Sequence, residues 1–182
     1  MNTEHIEKAL GSYKHFIGVF PMDKVKKHLS KKYSKLKGVV MNLDPSWLEG
    51  SHWVGIMIKP SVTYKRITIE YFDSYGRVPP ILTNEKYKIV HNTQRFQKYY
   101  TTTCGQFCIY VIQQRLKGKS YKRILQALKS KKDPDNFVRN YVNTNFSNLT
   151  KHLCKNIAKN TQCCRDFCPN PPCRKIKNLK LF

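Results

Sequence analysis

The hydrophobic period of this chain changes at Cys104, and that switch limits its fold more than any other feature. Upstream, apolar residues alternate. "SHWVGIMIKP" (51–60) sets Trp53, Gly55 and Met57 against His52, Val54, Ile56 and Ile58, and "RITIEYFDSYG" (66–76) sets Ile67, Ile69 and Tyr71 against Thr68, Glu70 and Phe72. A period of two marks strands. From Cys104 onward, Phe107 pairs with Val111 and Cys108 with Ile112, four residues apart, in a run that closes near Gly118. That is helical spacing with a glycine stop. Strands first and helices afterwards predict an α+β domain with a strand-to-helix junction at Cys104.

The flanking segments fit the same scheme. Residues 3–10 predict a short helix with Ile6 and Leu10 on one face. "KHFIGVF" (14–20) reads as a short strand or turn ended by Pro21, and "GVVMNL" (38–43) as a buried strand. Between them, Val25, Leu29 and Tyr33 at four-residue spacing predict a basic amphipathic helix over 22–38. "YKIVH" (87–91) is too short for its type to be read. Downstream, Ser120 is placed to cap a helix carrying Ile124, Leu125 and Leu128. Asp133 and Pro134 start another, with Phe137, Val138, Tyr141 and Val142 inside. Beyond Thr150 the composition shifts. The expected division is a folded domain over 1–150 and a basic, cysteine-rich tail over 151–182.

Charge narrows the partners. Lys and Arg number 34 against 11 acids in 182 residues, a net +23. Such a surface seeks polyanions, and nucleic acid is the expected one, because each neutralised phosphate releases counterions. "MNTEHIEKAL" is too charged for a signal peptide, and no apolar run nears membrane-spanning length. A non-secreted monomer with no membrane contact is expected, its seven cysteines reduced. The sequons "NFS" (145–147) and "NLT" (148–150) are then chance matches.

"TTTCGQFC" (101–108) by itself is compatible with a buried helical turn, half a metal site or a thiolate nucleophile. A cysteine at a helix start faces unpaired N–H groups and the positive end of the dipole, which favour the thiolate. Gly105 is expected to let a ligand's backbone approach. A nucleophile also needs a base and an orienter. His52 on a strand and Asp73 at a strand end are available, though by position alone the usual reading is a core or surface histidine and a turn aspartate.

Four ordered segments make the decision. "TQRFQKYYTTTCGQFC" (93–108), "GSHW" (50–53), "FDSYG" (72–76) and "FIGVF" (16–20), with "VVMN" (39–42) ten residues before His52, together resemble the adenovirus-type cysteine endopeptidases, the adenain family. That family is similar in fold to the Ulp-type proteases that remove SUMO. The resemblance covers about residues 16–117. It implies a papain-like α+β fold of the adenain/Ulp type, with a central mixed sheet packed against helices and the nucleophile at a helix N-terminus.

It also implies roles. Cys104 is the nucleophile, His52 the base and Asp73 its orienter. Gln97 is the oxyanion donor, together with the Cys104 N–H, and Gln94 is its rival. Trp53 either covers the imidazole or packs in the core, and Cys108 is core. The implied function is cleavage of viral capsid or core precursors at glycine-containing sites during virion maturation, in the virion and host nucleus. No cofactor is needed for the chemistry, with DNA and a basic peptide as activators. The alternatives are a deconjugase for a ubiquitin-like protein and a non-enzymatic DNA-packaging protein. Two departures stand out. "EKYKIVHNTQRF" (85–96) lacks the cysteine that ties the peptide activator in that family. The tail has no counterpart there. Its Cys154, Cys163, Cys164, Cys168 and Cys173, with His152, lack standard zinc spacing, so no metal is expected. Its "CRKIKNLKLF" end is a candidate activator in cis.

Overall fold

A computed structural model of the chain describes residues 1–60, 67–80 and 87–146. The tail, the zinc and cis-activator candidates within it, and most of the two sequons lie outside these residues.

Among the described residues, ten elements follow in order: α1 (Thr3–Leu10), β1 (Phe16–Pro21), α2 (Met22–Leu29), β2 (Lys37–Asn42), β3 (Trp53–Ile58), β4 (Ile67–Phe72), β5 (Tyr87–His91), α3 (Cys104–Leu116), α4 (Tyr121–Lys129) and α5 (Pro134–Asn145). The strands form one mixed sheet in sequence order. The central pairs β2–β3 and β3–β4 are antiparallel, and the outer pairs β1–β2 and β4–β5 are parallel. The expected α+β architecture is therefore present.

Alternation along the strands fills two faces. Val39, Met41, Val54, Ile56, Ile58, Ile67, Ile69 and Tyr71 point to one side, where Val25 and Leu29 of α2 cover them. Val40, Met57 and Phe72 point to the other, against α1, α3, α4 and α5. Helix α3 is the axis of this second layer. Residues 105–114 are all buried, as expected of a helix enclosed on every side. It lies close to the sheet because β2 and β3 present glycines to it. A Cβ on Gly38 would sit 2.8 Å from Ile112 Cγ2, and one on Gly55 3.6 Å from Ile112 Cγ1. Its buried amides are satisfied from the outer layer: Gln113 donates to Tyr13 Oη at 2.6 Å and Gln114 to Tyr141 Oη at 2.7 Å.

One expectation is corrected and one open segment is settled. The basic helix stops at Leu29 with Ser30 as its C-cap, rather than running to residue 38. Lys37 already belongs to β2, so the chain must turn to pair in parallel with β1, and Tyr33 lies in that turn with its hydroxyl donating to His28 O at 3.2 Å. "YKIVH" is an edge strand, parallel to β4. The caps at Ser120 and Asp133 are as expected, each side chain accepting a backbone N–H of its helix.

At the far end of α3 from Cys104, Arg115 forks onto Glu70 of β4, with Nε to Oε2 at 2.7 Å and Nη2 to Oε1 at 3.1 Å. Both side chains are largely covered, 13% and 8% exposed. Glu70→Ala leaves the guanidinium without its partner, and a loss of about 3 kcal/mol in stability is expected by denaturant unfolding. A loss under about 1 kcal/mol would class the pair with surface bridges.

Candidate active site

Strand register assembles the site at one end of the sheet. Gly55 of β3 pairs with Phe72 of antiparallel β4, so the residue entering β3, His52, meets the residue leaving β4, Asp73. Tyr71 pairs with His91 of β5, which brings Asn92 to the same end. Helix α3 begins there, with the Trp53 backbone close enough to the Cys104 thiol to lower its pKa.

His52 and Asp73 are buried, at 6% and 0% exposure. His52 Nε2 lies 2.7 Å from Asp73 Oδ1, and the imidazole is close enough to Cys104 for each to shift the other's protonation. With Nε2 committed to the carboxylate, Nδ1 is the nitrogen left for the thiol. Asp73 is itself fixed by its surroundings. Tyr75 N–H donates to its Oδ1 at 2.8 Å, and Asn92 brackets its backbone, accepting from Asp73 N at 3.0 Å and donating to Asp73 O at 2.7 Å. Gly76, at φ +72°, closes the turn; a Cβ there would meet Thr93 O at 2.6 Å.

The electrostatics favour an ion pair. Burial opposes a charged imidazole, but the Asp73 bond and the contact with Cys104 outweigh it and raise His52 from 6.5 to about 9. Burial would push the Cys104 thiol up, yet the His52 bond and charge, with the Trp53 N–H, bring it below its ordinary 9.0. Cys108, one turn further on, is wholly buried, and burial pushes its thiol well above 9.0. The two cysteines of "CGQFC" are thus electrostatic opposites.

Gln97 is 2% exposed. Its Oε1 accepts from Ser74 Oγ at 2.6 Å, and its Nε2 donates to Thr101 O at 2.6 Å, which leaves the second N–H of the amide for another acceptor. Gln94 is exposed and lines a cavity of about 560 Å³ with Glu70, His91 and Arg115. The loop between Gln97 and Cys104 is anchored by Asp135 in the first turn of α5. This buried carboxylate accepts from Lys98 N at 3.0 Å, Thr101 Oγ1 at 2.6 Å and Thr103 Oγ1.

The ring stacked on His52 is Tyr75, with centroids 4.9 Å apart. Trp53 instead packs against the helical core, with Nε1 donating to Met1 O at 3.2 Å. The space beside Gly105 holds Met1, whose Sδ would lie 2.7 Å from a Cβ there, so this glycine accommodates Met1 and not a ligand. Sequence reasoning missed Ser74, Tyr75, Asn92, Thr101, Thr103 and Asp135. "FDSYG" carried a signal for Tyr75, and the acid at the start of a helix one for Asp135. Asn92 and the threonines carried none. Among the described residues, no three His, Cys, Asp or Glu side chains converge as a metal site.

No protein-family model and no curated protein matches the chain. Solved structures do. The crystal structure of the ASFV pS273R protease superposes with a TM-score of 0.53 at 20% identity, covering 75% of this chain and 65% of that one. Its selenomethionine form gives 0.47 at 21% identity, covering 76% and 66%. The chain thus spans a little under two thirds of the first neighbour's length. At this level the likeness establishes the fold: a mixed sheet with helices, of the Ulp-like cysteine-protease type.

Proposed function

We propose that this chain is a cysteine endopeptidase with Cys104 as nucleophile, His52 as acid and base, and Asp73 as its orienter. One observation carries it: a cysteine at the first residue of a helix lies close enough to a buried histidine for each to shift the other's protonation, and a buried carboxylate holds that histidine at 2.7 Å. A protease fold is the context in which that trio has this use.

The Cys104 thiolate adds to the scissile carbonyl carbon. The oxyanion is held by the Cys104 N–H and the free N–H of Gln97. Collapse breaks the C–N bond, and His52 Nδ1 passes its proton to the leaving amine. Water then attacks the thioester, giving a proton to His52, and the acid departs as the thiolate re-forms. Asp73 keeps Nε2 occupied throughout.

Within this class, the ordered segments around His52, Asp73, Gln97 and Cys104 favour the adenovirus-type enzymes. The substrates proposed are viral precursor polypeptides cut at glycine-containing sites. The +23 charge supports stimulation by double-stranded DNA.

The test is hydrolysis of a Gly-Gly-containing peptide by the wild-type chain and by Cys104→Ala, with and without DNA, beside an intact ubiquitin-like conjugate. Turnover that vanishes in the variant, with peptide cut in preference to conjugate, is the expected result. Equal turnover by both proteins would overturn the mechanism, and a conjugate preference would make the enzyme a deconjugase. A rate indifferent to DNA across salt concentrations would remove the activator.

A further inference from the structure

Next to the imidazole lies a ladder of rings and guanidinium groups that the chemistry above does not use. Tyr75 stacks on His52, and Tyr99 stacks on Tyr75 with centroids 6.2 Å apart. The Arg77 guanidinium sits 4.9 Å from the Tyr75 ring centre, and that of Arg95 3.7 Å from Tyr99. The ladder opens to solvent: Tyr99 is 76% exposed and its neighbour Tyr100 83%. Neither arginine forms an ion pair with a carboxylate of the described residues. The acids that anchor the loop before Cys104, Asp133 and Asp135, are taken by Lys98, Thr101 and Thr103.

A guanidinium laid on an aromatic face keeps its edge of N–H donors free. It is also held in place before any ligand arrives, which lowers the entropy lost on binding. Two such pairs side by side form a positive, pre-ordered surface suited to a carboxylate. Its position says which carboxylate. His52 delivers the proton to the leaving amine, so the peptide beyond the scissile bond begins at the imidazole and passes next over Tyr75 and Tyr99.

We propose that Tyr75, Tyr99, Arg77 and Arg95 form a subsite that takes an acidic residue on the leaving-group side of the scissile bond. This deepens the endopeptidase reading and rests on it. A nucleic-acid strand is the less fitting occupant, because Tyr75 and Tyr99 already face each other and each carries a guanidinium, which leaves a base little free ring to stack on.

Three quenched peptides test this, identical except for Asp, Asn or Lys two residues after the scissile bond. Cleavage efficiency is expected to fall from Asp to Asn to Lys. The Asp peptide should exceed the Lys peptide by about tenfold at low salt, less as salt rises. In Arg77→Gln/Arg95→Gln the Asp-to-Lys ratio should fall to about one. In Lys122→Gln/Lys129→Gln, which removes the same charge at the cavity lined by α4, it should persist. Equal cleavage of all three peptides by the wild type, or a preference that survives in the arginine variant, would overturn the subsite and leave the endopeptidase standing. If no peptide is cut, that mechanism fails, and fluorescence anisotropy on Cys104→Ala still decides the subsite. Equal affinity for the Asp and Lys peptides, or displacement of both alike by a single-stranded oligonucleotide, would refute it. Tighter binding of the Asp peptide that the arginine variant loses would support it.

Discussion

Replacing His52 by alanine is expected to cut peptide turnover by about 10,000-fold or more and to return Cys104 to an ordinary, unreactive thiol. In the wild type the thiol is held below 9.0 against its own burial, first by the His52 bond and charge. Without the imidazole, burial remains as the largest influence, and the thiol pKa rises. Each unit of that rise lowers the thiolate fraction at neutral pH tenfold. Alkylation by iodoacetamide at pH 7 should therefore slow by more than tenfold in the variant. The sign on the other limb follows from His52, raised to about 9. Below that pH the imidazole is charged and can protonate the leaving amine; above it the proton is lost. Activity should fall as pH rises through about 9, and on the acid side as the thiolate is protonated. An alkylation profile unchanged by the substitution would sink the ion pair.

Gln97→Ala should cost about 100- to 1,000-fold in kcat, with KM little changed, because an oxyanion donor acts only once the carbonyl becomes tetrahedral. Gln94→Ala is the control. Gln94 lies one helical turn away in sequence but faces solvent, and its loss should leave kcat within about twofold. The reverse outcome would reassign the donor. The distinction depends on Ser74 and Thr101, which grip the two ends of the Gln97 amide and keep one N–H free.

Why was this much legible beforehand? His52 and Asp73 flank strands whose alternation is clean, and antiparallel pairing turns that alternation into a shared end of the sheet. Cys104 stands where the period changes. The residues that hold these three were less visible because their contacts are long-range. Asn92 reaches Asp73 across 19 positions, and Asp135 reaches Thr103 across 32. Neither leaves a periodic trace. The basic helix was overextended because solvent-facing lysines continue past Leu29, and only the demand of β2 for pairing ends it. Of the two places open to Trp53, over the imidazole or in the core, adjacency to His52 could not choose. In a strand, neighbouring side chains point to opposite faces, so the cover comes from Tyr75 on another loop.

The burial of Cys108 has a consequence for the enzyme's survival. A reactive thiolate is also the first target of peroxide, and its sulfenic acid is recovered only if another thiol arrives in time. Cys108 is the other free cysteine of the described residues. It is one turn away, but it is fully enclosed and held protonated, so it cannot take the part of a resolving thiol. Helix α3 thus makes Cys104 quick to react and gives it no neighbour to undo oxidative damage. Any thiol that rescues it must then come from outside helix α3.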